Sequence, residues 1–249
     1  MLSGGGTGGH VYPALAVVEE LKRATSNGDG LPELEAVLYV GTAGGLEANI
    51  VARAGVAFCA VEATGLRGLF PWRMLFNSLT LVKGSGQAWR IVRAFRPDVI
   101  LATGGYASVP VVIAAWFCRC PVLIYLPDIV PGLAVGFLSR LARRVAVSFD
   151  ASLAYFAPGK AAVTGYPVRS SLYITARETA RQHLSLDPDC RTVLILGGSR
   201  GAHSINQAVS GVLERLLDLA QVIHIAGEAD VAQLRQRREG LAPNLRQRY

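Results

Sequence analysis

Runs of four or five aliphatic residues end abruptly at glycine clusters, and helical spacing resumes on the far side of each. Ala36 to Val40 closes at Gly41, Val99 to Ala102 at Thr103-Gly104-Gly105, and Thr192 to Leu196 at Gly197-Gly198. Val122 to Tyr125, Arg144 to Val147 and Gln221 to Ile225 continue the series of strand-length runs without a glycine cluster after them. Between them, Pro13 to Arg23, Gly45 to Ala54, Leu81 to Phe95, Val109 to Phe117 and His203 to Leu219 carry apolar residues at helical intervals. Strands that are apolar on both faces and alternate with helices predict an α/β fold, its parallel sheets covered on both sides.

The strand spacing divides into two sheets. A first unit is expected over residues 1–161 and a second over 162–249, with the crossing at Ala162-Val163-Thr164-Gly165-Tyr166-Pro167. With 249 residues, 51% apolar and 17% charged, the chain has ample core for this and is not disordered. The second unit offers two strands, fewer than an open α/β sheet usually has. A strand normally precedes a helix-capping glycine loop, yet only Met1, Leu2 and Ser3 stand before the first one. The sequence therefore reads as part of a longer chain, cut at both ends.

The formal net charge is +7. No dense basic run with interleaved aromatics, zinc-finger spacing or basic zipper accompanies it, so nucleic acid is not the expected partner. Acidic lipid headgroups or phosphorylated substrates suit the charge as well. Cys59, Cys118, Cys120 and Cys190 form no CxxC pair and read as reduced thiols of a cytosolic protein. Val109 to Pro127 is apolar, but Arg119, Pro110 and Pro121 interrupt it, so a buried helix followed by a buried strand is expected rather than a membrane span.

Three glycine loops share one design. Gly4-Gly5-Gly6-Thr7-Gly8-Gly9-His10, Thr103-Gly104-Gly105-Tyr106 and Gly197-Gly198-Ser199-Arg200-Gly201-Ala202 each stand where a helix begins. Such a turn brings backbone N–H groups and the positive end of a helix dipole to an anion. None is a dinucleotide fingerprint, because no acidic residue closes the following strand at Leu38-Tyr39-Val40-Gly41, and none is a P-loop. His10 ends the first loop, where a neutral imidazole can accept a proton near pH 7. Asp187-Pro188-Asp189 nominally spells a DxD metal motif but reads as a solvated turn before a strand.

In order along the chain stand GGGTGGHVYPALAV, GLRG (65–68), FRPDVILATGGYAS (95–108), VPGLA (130–134), GYPVR (165–169) and LGGSRGA (196–202). This series resembles the MurG family, the glycosyltransferases that convert lipid I to lipid II in peptidoglycan synthesis. The resemblance implies GT-B architecture: two Rossmann-like domains, the first binding the lipid acceptor and the second most of UDP-N-acetylglucosamine. It implies an inverting transfer with no metal or other cofactor. His10 would be the general base or would orient one. Thr7, Gly8 and Gly9 would contact the donor sugar and phosphate region. Gly104, Gly105 and Tyr106 would hold the acceptor's diphosphate, and Arg169 and Ser199 the diphosphate of UDP.

Where the family usually carries HEQN, this chain has Tyr125-Leu126-Pro127-Asp128, so Asp128 takes the asparagine position in a stretch expected to face the cleft. Leu69, Phe70, Trp72 and Phe76 lie beside Arg67, Arg73 and Lys83. That cluster is expected to dock on an anionic membrane, placing a peripheral protein at the cytoplasmic face of the bacterial cell membrane. Two other readings stay open: a GT-B transferase for another lipid-linked acceptor, and a non-catalytic fragment that binds a lipid diphosphate.

Overall fold

A computed structural model describes residues 1–27, 34–64, 71–170, 172, 175–198 and 201–249, and of residues 71–78 the backbone alone. The chain forms two compact units, Met1–Leu172 and Tyr173–Tyr249, so the division falls beyond the expected 161/162, because Ala161–Val163 pairs with Arg144–Val147 as a strand of the first sheet. Both are built of parallel strands and helices, as the alternation predicts.

The first unit holds seven strands: β1 (Leu2–Ser3), β2 (Leu38–Thr42), β3 (Ala57–Val61), β4 (Ile100–Ala102), β5 (Val122–Leu126), β6 (Arg144–Val147) and β7 (Ala161–Val163). They line up as β3-β2-β1-β4-β5-β6-β7, all parallel. The two residues of β1 occupy the centre, where Leu2 pairs with both Tyr39 and Leu101. From there the order runs outward in both directions, so the sheet reverses between β1 and β4. In an open α/β sheet ligands bind in the crevice beyond the strand ends at that reversal. The loops that follow β1 and β4 are the first two glycine loops.

Helices α1 (Gly8–Ser26), α2 (Leu46–Arg53), α3 (Pro71–Phe95), α4 (Ser108–Phe117) and α5 (Leu133–Leu141) complete the unit. Helix α1 starts five residues ahead of the Pro13 that spacing indicates, because Gly8, Gly9 and His10 already turn helically. Helix α3 runs through Gly84, whose lack of a side chain lets it press against the Glu62 carbonyl. Strands β3 and β7 escape a pattern search because each lies at a sheet edge and is partly exposed. The buried core runs through Val40, Ile100, Val111, Ile124, Leu126 and Val147. Val109 to Pro127 forms α4, buried along most of its length, and the buried β5, as its punctuation suggests. No helix among the described residues is long and apolar enough to cross a membrane.

The second unit contains the parallel pair β8 (Thr192–Leu196) and β9 (Gln221–Ile225) with helices α6 (Arg177–His183), α7 (His203–Leu219), α8 (Glu228–Glu239) and α9 (Pro243–Arg246). Its apolar centre is Leu213, Leu217, Val222 and Leu241. A polar chain runs beside it. Asn206, almost fully buried, donates to Asp230 at 2.7 Å and to the Ala226 carbonyl at 2.9 Å, while its carbonyl oxygen faces His224 Nε2 at 3.0 Å. Asp187-Pro188-Asp189 is an exposed turn in which the Asp189 amide donates to the Asp187 carboxylate.

Candidate active site

The first two loops interlock at the sheet reversal. The Gly5 amide donates to the Gly104 carbonyl at 3.3 Å. Gly104 and Gly105 both have positive φ, +103° and +79°, and a Cβ on Gly105 would strike the Gly5 backbone. Both glycines are therefore required by geometry. Ser108, buried, ties the same junction by donating toward the carbonyls of Gly104 and Ser3, at 2.8 and 3.1 Å.

His10 sits in the first turn of α1 with its ring against Gly104, where an added Cβ would lie 3.1 Å from its Nδ1 and Cε1. Its Nδ1 is 3.2 Å from the Thr103 carbonyl oxygen. A carbonyl only accepts, so Nδ1 carries the proton and Nε2 of the neutral ring keeps its lone pair. Thr103 returns the contact, its hydroxyl donating to the His10 carbonyl at 2.5 Å. Burial holds the imidazole below its usual range, while the carboxylates of Asp128 and Glu47 oppose this by favouring the imidazolium. The result is a half-buried, neutral base with a fixed tautomer and one available nitrogen.

Asp128 is exposed on the loop after β5 and acts electrostatically on His10, Tyr125 and Tyr166. Tyr125 and Leu126 are buried, and the Tyr125 hydroxyl lies 2.7 Å from Ser148 Oγ. This corrects the expectation that the whole Tyr125–Asp128 stretch faces a cleft: within it only Pro127 and Asp128 reach the surface. Tyr166 packs edge-on against Tyr125, with ring centroids 6.1 Å apart.

Thr7, Gly8 and Gly9 form the start of α1, where the first amides of a helix have no intrahelical acceptor. Tyr106 is exposed beside Gly105. Arg169 belongs to the first compact unit, and its guanidinium lies 4.9 Å from the centre of the Tyr12 ring. It borders a groove of about 490 Å³ that Leu15, Lys22 and Arg53 also line. Ser199, Leu69 and Phe70 lie outside the described residues, and of Trp72 and Phe76 only the helical backbone is described. In the third loop Gly198 and Gly201 have positive φ, and Gly201 presses against the Ala226 carbonyl.

Two site residues escape sequence reasoning. Thr103 directly precedes the Gly104-Gly105 turn, and its carbonyl fixes the His10 tautomer. Glu47 stands in the first turn of α2 behind Gly44-Gly45, yet it is fully buried. Its carboxylate accepts from the amide and hydroxyl of Thr42 and, at 3.4 Å, from the Gly6 amide. An acidic residue at a helix start ordinarily reads as a solvated dipole partner, so its type carried no signal.

Residues 1–147 match the glycosyltransferase family 28 N-terminal domain, and residues 192–248 match the glycosyltransferase family 28 C-terminal domain. This chain belongs to glycosyltransferase family 28. Within the family it is similar to the MurG enzymes. A UDP-N-acetylglucosamine--N-acetylmuramyl-(pentapeptide) pyrophosphoryl-undecaprenol N-acetylglucosamine transferase of Roseiflexus sp. (strain RS-1) is 41% identical over 280 residues, covering 100% of this chain and 64% of the relative. A transferase of the same name from Desulforudis audaxviator is 42% identical, over 92% of this chain and 60% of its own. The family 28 chain thus spans about three fifths of the length of the relatives it matches. The crystal structure of Acinetobacter baumannii MurG superposes with a TM-score of 0.65 at 26% identity, over 95% of this chain and 63% of that one. Anabaena Alr3699/HepE in complex with UDP shares the fold alone, with a TM-score of 0.56 at 18% identity over 95% of this chain and 64% of that one. These neighbours and the parallel sheets agree with the GT-B architecture that the motifs imply.

Proposed function

We propose that the protein is the inverting transferase that moves N-acetylglucosamine from UDP-N-acetylglucosamine to the muramyl-pentapeptide lipid precursor, lipid I to lipid II. The observation that carries the reading is the His10 imidazole, locked as the Nδ1–H tautomer at the sheet reversal with Nε2 available. As the acceptor's 4-hydroxyl oxygen attacks the anomeric carbon, Nε2 takes its proton, the bond from that carbon to the UDP oxygen breaks, and the configuration inverts. The imidazolium that forms is favoured by the carboxylates of Asp128 and Glu47. Relatives whose names state this reaction support the same reading.

Around that base, Gly104, Gly105 and Tyr106 hold the acceptor's diphosphate, which suits two successive amides of a positive-φ turn. Thr7, Gly8 and Gly9 meet the donor sugar and phosphate region at the α1 terminus. Asp128 contributes to acceptor binding, and Arg169 and Ser199 hold the diphosphate of UDP. The two compact units divide the work, residues 1–172 serving chiefly the acceptor and residues 173–249 supplying part of the donor site.

The acceptor is lipid-linked, so the protein works as a peripheral protein on the cytoplasmic face of the bacterial membrane, docking through Leu69, Phe70, Trp72 and Phe76. Exposed Trp116 and Phe117 at the end of α4, next to Arg119, suit the same surface. The test of the reaction is incubation of the full-length protein with labelled UDP-N-acetylglucosamine and a lipid I analogue. Label in the disaccharide product is expected. Transfer to a different lipid-linked acceptor, or none to either, would overturn the assignment.

A further inference from the structure

Glu47 is a buried carboxylate with no cation within ion-pair distance among the described residues. Removing such a group from water is unfavourable unless its oxygens are hydrogen-bonded. Burial pushes its carboxyl upward. The Thr42 hydroxyl, the amides of Thr42 and of Glu47 itself, and the Gly6 amide outweigh this and hold it below the usual carboxylate range. The cavity around it is made by glycines. A Cβ on Gly5 would lie 2.5 Å from Oε1, one on Gly41 would lie 2.7 Å from Cγ, and one on Gly45 would overlap the carboxylate. Three glycines drawn from two separate loops and a strand thus form a seat for one charged side chain.

We propose that Glu47 is a positioning residue of the transfer site, its carboxylate seated among Gly5, Gly41 and Gly45 so as to hold the first glycine loop against the end of β2 and to keep a fixed negative charge behind His10. The Gly6 amide is turned inward to Glu47 and the Gly5 amide to Gly104, so neither serves an anionic ligand. Ligand recognition by this loop is left to Thr7, Gly8 and Gly9. The charged groups facing His10 are Asp128, from the loop after β5, and Glu47, from α2.

The proposal rests on His10 as the base, but its readouts are imidazole titration and amide exchange in the chain itself. Failure of the transfer reading therefore leaves them interpretable. By imidazole NMR, Glu47→Gln should lower the His10 midpoint, because it removes a carboxylate that favours the imidazolium. Glu47→Asp keeps the charge and should leave the midpoint as in the parent, while exposing the Gly6 amide. In the unsubstituted chain that amide should exchange at least about tenfold more slowly than the Gly8 amide, which has no acceptor among the described residues. An unchanged or raised midpoint in folded Glu47→Gln overturns the electrostatic role. Should that variant not fold, Gly6 exchanging as fast as Gly8 in the parent overturns the proposal by itself.

Discussion

His10 Nδ1 and the Thr103 carbonyl oxygen are 3.2 Å apart, and this contact fixes which ring nitrogen can act as a base. Because burial disfavours the imidazolium, the His10 midpoint in the folded protein lies below that of the unfolded chain. Between the two midpoints the unfolded state binds more protons, so stability is complete above about pH 6.5 and is lost as pH falls through the folded midpoint. Urea midpoints measured from pH 7.5 downward should decline, and His10→Asn should decline less. An identical pH dependence in the variant would refute this assignment of the proton.

The loop junction makes a graded prediction about glycine. Gly105→Ala combines positive φ with a clash against the Gly5 backbone, whereas Gly159→Ala has positive φ and open space around it. Left-handed backbone alone costs roughly 1–2 kcal/mol. Urea unfolding should show that loss for Gly159→Ala and a distinctly larger one for Gly105→Ala. Equal losses would mean the two loops do not interlock.

In the second unit Asn206 satisfies Asp230, Ala226 and His224 together. Asn206→Ala leaves the buried Ala226 carbonyl unmatched and takes one partner from Asp230, which keeps His203, and should destabilise the unit by about 1–3 kcal/mol. Hydrogen exchange in β9 would report it, and parent-like protection there would show that the network contributes little.

Membrane docking has a direct readout in co-sedimentation with liposomes. The protein should bind vesicles in proportion to their anionic lipid, and Trp72→Asp with Phe76→Asp should abolish most of that binding. Binding that ignores lipid charge and survives both substitutions would rule the patch out.

The α/β class was legible because apolar runs such as Val122 to Tyr125 fill interior strands. Strands β3 and β7 were not, since edge strands lack that double-faced pattern. The site was legible as far as its glycines and His10, whose types at a strand-to-helix turn already carry chemical meaning. The seat of Glu47 was not. Gly5 and Gly41 meet only when β1 and β2 pair, so the cavity they leave belongs to the sheet and to no local stretch of sequence. Likewise the Thr103 contribution comes from a carbonyl, which every residue type has.

Transfer in this site depends on His10 Nε2 removing the acceptor proton. The most direct test is the rate at which the full-length protein and its His10→Ala form transfer labelled N-acetylglucosamine to a lipid I analogue, both substrates saturating. A positioned general base contributes about 10²–10⁴-fold, so the variant should be slower by that factor. Equal rates would remove His10 from the mechanism.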